Sequence, residues 1–181
     1  MMSSLMCVSF SSVISTIASS GINDGPEQAH KIIERMQELK IKPNRITYNS
    51  LINCWSKSHR KGAAEKAEEI LIKMTETDDP QASPDSVSFS SVINCWAQSG
   101  EDGCGERAQA ILDMMESNWK AGNKNMKPNK FTYACVLNAF AKGRDENSLD
   151  KALSLLNQME KSYLEGNDEA RPSEPGFNSG M

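Results

Sequence analysis

An aromatic residue recurs at Phe10, Tyr48, Phe89 and Tyr133, and an alanine stands nineteen residues after each, at Ala29, Ala67, Ala108 and Ala152. A spacing that holds while the flanking sequence varies marks a repeated structural unit. A period of about 40 residues belongs to solenoids and arrays rather than to a domain wrapped around one core.

Both halves of the unit carry helical periodicity. From each aromatic, apolar residues follow at the third, fourth and seventh positions: Val13, Ile14 and Ile17; Leu51, Ile52 and Trp55; Val92, Ile93 and Trp96; Val136, Leu137 and Phe140. From each alanine the same offsets give Ile32, Ile33 and Met36; Ile70, Leu71 and Met74; Ile111, Leu112 and Met115; Leu155, Leu156 and Met159. Such spacing lays an apolar stripe along one helix face. The unit is therefore a hairpin of a first helix, A, and a second helix, B, with turn residues between them in every copy. Neither helix can bury its stripe alone, whereas hairpins stacked side by side bury the stripes together. The expected fold is all-α, a solenoid of stacked antiparallel helix hairpins.

The variable part of the unit lies in one place. From the helix B methionine to the next aromatic the distance grows from 12 residues (Met36 to Tyr48) to 15 (Met74 to Phe89) and 18 (Met115 to Tyr133). Length changes thus fall in the loop leaving helix B, where Asp78-Asp79-Pro80 and Gly122-Asn123-Lys124-Asn125 are turn and loop residues. Met159 to Phe177 is again 18, so Phe177 is expected to open a further unit.

Several functional classes find no support. No stretch is apolar for the roughly 18 residues that a membrane-spanning helix needs. The first basic residue is Lys31, which argues against a signal or transit peptide at the start of this chain. Five cysteines and two histidines form no CxxC pair or zinc-ligand spacing, and Cys54 and Cys95 are repeat-equivalent. Scattered cysteines suit a reducing compartment. There is no glycine-rich phosphate loop, no HExxH and no nucleophile elbow. Asp78-Asp79 are better explained as a solvated loop than as paired catalytic carboxylates. No enzymatic activity and no cofactor are expected.

The charge distribution is uneven. Net charge is −4, from 20 basic and 24 acidic residues. The four helix A segments, 7–20, 45–58, 86–99 and 130–143, hold Arg45, Lys57, Lys130 and Lys142 and no acid, leaving 16 basic and 24 acidic residues, −8, elsewhere. A face made of A helices would be weakly positive and rich in Ser and Asn, with the B helices as an acidic exterior. Exclusion of acids from a more buried layer would produce the same pattern.

The stretches Lys42-Pro43-Asn44-Arg45-Ile46-Thr47-Tyr48-Asn49-Ser50-Leu51-Ile52, Ser83-Pro84-Asp85-Ser86-Val87-Ser88-Phe89-Ser90-Ser91-Val92-Ile93 and Lys127-Pro128-Asn129-Lys130-Phe131-Thr132-Tyr133 resemble the junction between successive pentatricopeptide repeats. Helix B segments such as Ala67-Glu68-Glu69-Ile70-Leu71-Ile72-Lys73-Met74 resemble the second half of that repeat. The resemblance is to P-type repeats and runs over nearly the whole chain. It departs in length, with units of 38, 41, 44 and 44 residues against the usual 35 of the family. It implies a right-handed α-α superhelix with repeats at 7–44, 45–85, 86–129 and 130–173 and the start of a fifth at 174–181. The chain is accordingly expected to be a piece of a longer array.

For function, the resemblance implies single-stranded RNA as the partner, read one base per repeat, in RNA processing or stabilisation in a mitochondrion or plastid. The base-reading residues would be the fifth of each unit, Ser11, Asn49, Ser90 and Ala134, with the last of each unit, Asn44, Asp85, Asn129 and Ser173. The second residues, Val8, Ile46, Val87 and Phe131, would pack on bases, and Lys57 and Lys142 would meet phosphates. By the family's pattern Ser11/Asn44 and Ser90/Asn129 are adenine readers and Asn49/Asp85 a uracil reader, giving 5′-A-U-A-N. Unstacked bases read at their edges by short polar side chains are a known solution to RNA recognition. Asn and Asp after Pro are also ordinary helix caps. The competing function is a helical scaffold for protein partners. No membrane and no small-molecule substrate are implied.

Overall fold

The computed structural model describes residues 2–22, 24–143 and 147–171, with side chains from Met6 onward. Eight α-helices follow in order: α1 (Met2–Ser20), α2 (Gly25–Glu38), α3 (Arg45–Ser58), α4 (Ala63–Thr75), α5 (Ser86–Ser99), α6 (Cys104–Lys120), α7 (Lys130–Lys142) and α8 (Ser148–Leu164). Short 3₁₀ turns at Lys124–Met126 and Asp168–Ala170 close the loops after α6 and α8. No strand occurs among the described residues. Odd-numbered helices are the A members and even-numbered helices the B members. Helix α1 starts at Met2, ahead of the expected residue 7, because no proline or glycine interrupts the chain before it.

The breaks between helices have local causes. Helices α3 and α5 end in left-handed residues, His59 and Gly100. Gly62 and Gly103 cap α4 and α6 at φ +79° and +75°, a region that glycine enters without a Cβ penalty. Pro26 sits in the first turn of α2, where its missing N–H costs no helical bond.

Each A helix packs on the next, α1 on α3, α3 on α5 and α5 on α7. The B helices α2, α4 and α6 each pack on their own A helix and on the following one. This is a helical-repeat solenoid. The stripe residues form its core: Ala29, Ala67 and Ala108 are fully buried, as are Met36, Met74 and Met115 or nearly so. Each loop leaving a B helix drops one apolar plug inward, at Ile41, Ala82, Met126 and Ala170. The stripe positions that stay exposed, Val13 on α1 and Leu156 on α8, lie on the first and last hairpins, which have one packed neighbour rather than two among the described residues.

The two layers differ in how tightly they pack. Successive A helices pack directly on one another, whereas successive B helices are bridged by long polar side chains: Arg107 to Glu68, Lys151 to Glu106, and Gln158 to Asp113 at 2.9 Å. Clefts of about 360, 520 and 490 Å³ open between neighbouring B helices, lined respectively by Trp55 and Lys73, by Trp96 and Arg107, and by Phe140 and Gln158. The tighter A layer therefore forms the inner side of the array and the splayed B layer its outer side.

Candidate nucleic-acid interface

Three side chains converge wherever one A helix follows another. The caps of α3, α5 and α7 are Asn44, Asp85 and Asn129. Their Oδ1 atoms accept backbone N–H bonds from Thr47 at 3.0 Å, from Val87 and Ser88 at 3.1 Å, and from Thr132 at 3.0 Å. In return the hydroxyls of Thr47, Ser88 and Thr132 accept from the backbone N–H of the cap at 3.3, 3.2 and 3.4 Å. These are reciprocal capping boxes, which satisfy two otherwise orphaned donors at each helix start. The side-chain cap is worth about 1 kcal/mol.

The same hydroxyls reach back to the preceding A helix. Thr47 Oγ1 lies 2.7 Å from Ser11 Oγ, Ser88 Oγ donates to Asn49 Oδ1 at 2.7 Å, and Thr132 Oγ1 lies 2.9 Å from Ser90 Oγ. Thus the fifth residue of one unit and the cap that precedes the next are joined through one buried hydroxyl: Ser11–Thr47–Asn44, Asn49–Ser88–Asp85 and Ser90–Thr132–Asn129. Ser11 and Ser90 are buried, at 3% and 7% exposure, because a serine side chain is short enough to lie beneath the hydroxyl that it meets. The more accessible polar members are Asn44, Asn49, Asp85 and Asn129. Ala134 is exposed and brings no polar atom. Ser173, its expected partner, and the start of a fifth unit lie outside the described residues.

Beside each triplet an apolar side chain stands in solvent. Val8, Ile46, Val87 and Phe131 are 56%, 60%, 57% and 56% exposed. A single exposed apolar residue needs no explanation. Four at one register position, next to a repeated polar pair, form an apolar and polar row along the inner layer.

The cations of the A helices divide in two. Arg45 is held by the following loop: Nε donates to the Ser83 carbonyl at 2.6 Å and Nη1 lies 3.5 Å from Asp85 Oδ2. It therefore orients the second polar pair. Lys57 and Lys142 are exposed in the last turns of α3 and α7, two units apart, and Lys130 is exposed at the start of α7. None of these three lysines forms an ion pair among the described residues.

Residues 7–58 match the family model of the pentatricopeptide repeat domain. The first three helices are thus similar to a pentatricopeptide repeat domain. That match spans α1 through α3 and contains the whole first triplet. No curated protein matches the chain. Pentatricopeptide repeats form helical solenoids that bind RNA, and the row of triplets here alternates polar and apolar groups regularly.

No group of three or more His, Cys, Asp or Glu able to hold a metal occurs among the described residues, and no described helix is long and apolar enough to cross a membrane. Burial pushes the Cys54, Cys95 and Cys135 thiols up to about 11, away from the reactive thiolate form. Asp79 is occupied in its own turn, where Oδ1 accepts the Gln81 N–H at 2.9 Å. Sequence reasoning named the caps and fifth residues and counted Arg45 as a cation of the A face, but it did not name Thr47, Ser88 and Thr132, which join them. The signal for these three was present, since a Ser or Thr three residues after Asn or Asp is a capping-box spacing.

Proposed function

We propose that the inner A-helix row binds single-stranded RNA with one base per repeat, the base edge meeting the fifth residue and following cap of each unit and its face resting on the second residue. The observation that carries this reading is the threefold triplet with an exposed apolar side chain at each register. An amide or carboxylate edge beside an apolar platform offers hydrogen bonds and stacking at once, the combination that unstacked RNA bases require. Asn44 and Asn129 hold their carbonyl oxygens inward on the helix start, so their Nδ2 groups remain as donors for an adenine acceptor. Asn49/Asp85 combines a donor with an acceptor and is assigned to uracil. Unit four, with Ala134, is assigned to any base, and the preferred sequence is 5′-A-U-A-N. Lys57 and Lys142 supply phosphate contacts at alternate units. We place this activity in organellar RNA processing or stabilisation, with the chain acting as a binder rather than a catalyst.

The test is binding to fluorescent single-stranded RNA containing repeated AUA, against poly-C and the matching DNA, at two salt concentrations. Preference for AUA RNA, weakened by salt through counterion release, is expected. Asn49→Ser should move the second base from uracil toward guanine. Equal binding of all three nucleic acids, or binding insensitive to salt, refutes the reading and shifts weight to a scaffold for protein partners.

A further inference from the structure

We propose that Ser88, which is shielded from solvent, fixes which end of the Asn49 amide faces a bound base, and so is a specificity-determining positioning residue for the second repeat; the inference rests on the base-reading assignment above. Ser88 has one hydroxyl proton and two acceptors within reach, Asn49 Oδ1 at 2.7 Å and Asp85 Oδ1 at 3.1 Å. Asp85 Oδ1 already accepts the backbone N–H groups of Val87 and Ser88, both at 3.1 Å. The Asp85 backbone N–H in turn occupies a lone pair of Ser88 Oγ at 3.2 Å. The proton is therefore best used on Asn49, at the shorter distance.

This arrangement has a directional consequence. With its carbonyl oxygen held inward by Ser88, Asn49 turns its Nδ2 donors outward. Beside it, Asp85 Oδ2 remains an acceptor, set by Arg45 at 3.5 Å. The second repeat thus presents a donor next to an acceptor. Uracil answers with a carbonyl oxygen next to its N3–H. Cytosine presents the reverse order, an exocyclic amino donor next to the N3 acceptor, so its amino group would meet the Asn49 amino group. If the amide turned over, its carbonyl oxygen would oppose the uracil carbonyl and accept from the cytosine amino group instead. The hydroxyl that holds the amide thus disfavours cytosine without touching the RNA. Thr47 and Thr132 occupy the same place at the neighbouring junctions, but they meet Ser11 and Ser90, which have no amide to orient.

The experiment compares the full chain with Ser88→Ala and Ser88→Thr, using fluorescent RNA oligomers that carry either U or C at the second base of the AUA motif. Wild type and Ser88→Thr should prefer U to the same degree, because threonine restores the hydroxyl. Ser88→Ala should narrow the U-over-C ratio roughly three- to tenfold, the effect of one lost hydrogen bond, by weakening binding to U and improving binding to C. Should Ser88→Ala fail to melt cooperatively, Ser88→Cys keeps the bulk with a much weaker donor and should narrow the ratio likewise. A U-over-C preference that survives intact in a folded Ser88→Ala or Ser88→Cys chain overturns this inference alone. Absence of any such preference in the wild type overturns the base-reading assignment and this inference with it.

Discussion

Gly105 tests whether stacking between repeats, rather than helix propensity, governs stability in this array. It lies in the first turn of α6, and a Cβ built there would stand 2.4 Å from Phe140 Cδ1, 2.9 Å from Cε1 and 3.2 Å from the Phe140 Cα. Ordinary contact begins at 3.4 Å, so Gly105→Ala requires α6 and α7 to part by about 1 Å at the ring. Phe140 is 4% exposed and one of its close atoms is backbone, so rotating the ring does not relieve the clash. Overpacking of this kind costs about 1–3 kcal/mol, and the backbone contact places this site at the upper end. Alanine returns at most about 1 kcal/mol through helix propensity. The net expectation is a loss of about 2 kcal/mol, a fall of roughly 4–8 °C in Tm for a chain of this size.

The same position in the preceding unit is Ala64, fully buried, and in the last unit it is Leu149, 72% exposed, where no described helix follows. In the first unit the position is Pro26, also buried, so compact residues occur where a neighbouring A helix comes close. Thermal and urea denaturation of wild type, Gly105→Ala, Phe140→Leu and the double variant would measure the coupling directly. Phe140→Leu should relieve the part of the alanine penalty that comes from the ring and leave the part that comes from the backbone at position 140. A Gly105→Ala chain as stable as wild type, or more so, would mean that propensity outweighs the α6–α7 contact, and the reasoning fails.

Three further outcomes follow from single contacts. Trp96 Nε1 donates to Glu68 at 2.9 Å under the Arg107 guanidinium, whereas the equivalent Trp55 Nε1 is buried without a partner and His30 takes the place of Glu68. His30→Glu should therefore stabilise the first junction by about 1 kcal/mol, seen as a higher melting temperature; a lower one would show that the added carboxylate does not reach the indole. Burial and the 2.5 Å bond to Glu116 raise the Tyr133 hydroxyl above its ordinary value of 10.0, so the unfolded chain ionises first. Stability present below about pH 10 is then lost as pH rises further, and Tyr133→Phe should lose that dependence while costing about 1–3 kcal/mol at neutral pH by stranding buried Glu116. Because burial raises Cys54, Cys95 and Cys135, the native chain should react slowly with a thiol reagent at pH 8 and rapidly once unfolded in urea; equally fast labelling in the native state would contradict their burial.

What the sequence disclosed and what it hid follow from the range of the forces involved. Hydrophobic periodicity acts over a helix turn and is written in consecutive residues, so the Phe10, Tyr48, Phe89 and Tyr133 stripes announced both the helices and their stacking. The capping boxes were equally local, because Asn44 and Thr47 sit three residues apart. The bonds from Ser11 to Thr47 and from Asn49 to Ser88 span 36 and 39 residues, and no pattern in either helix alone specifies them. They exist because the A helices are stacked in register, which places the fifth residue of one above the third of the next. Arg45 shows the same limit: counted as a cation of the inner face, it folds onto the Ser83 carbonyl and Asp85 instead, since a desolvated carbonyl and a carboxylate hold a guanidinium better than open solvent does. The polar edge of this array is therefore set by its apolar stacking. A substitution that parts a B helix from the A helix that follows, as Gly105→Ala does at α6–α7, should displace α7 and so disturb the Ser90–Thr132–Asn129 contacts without changing any of those residues.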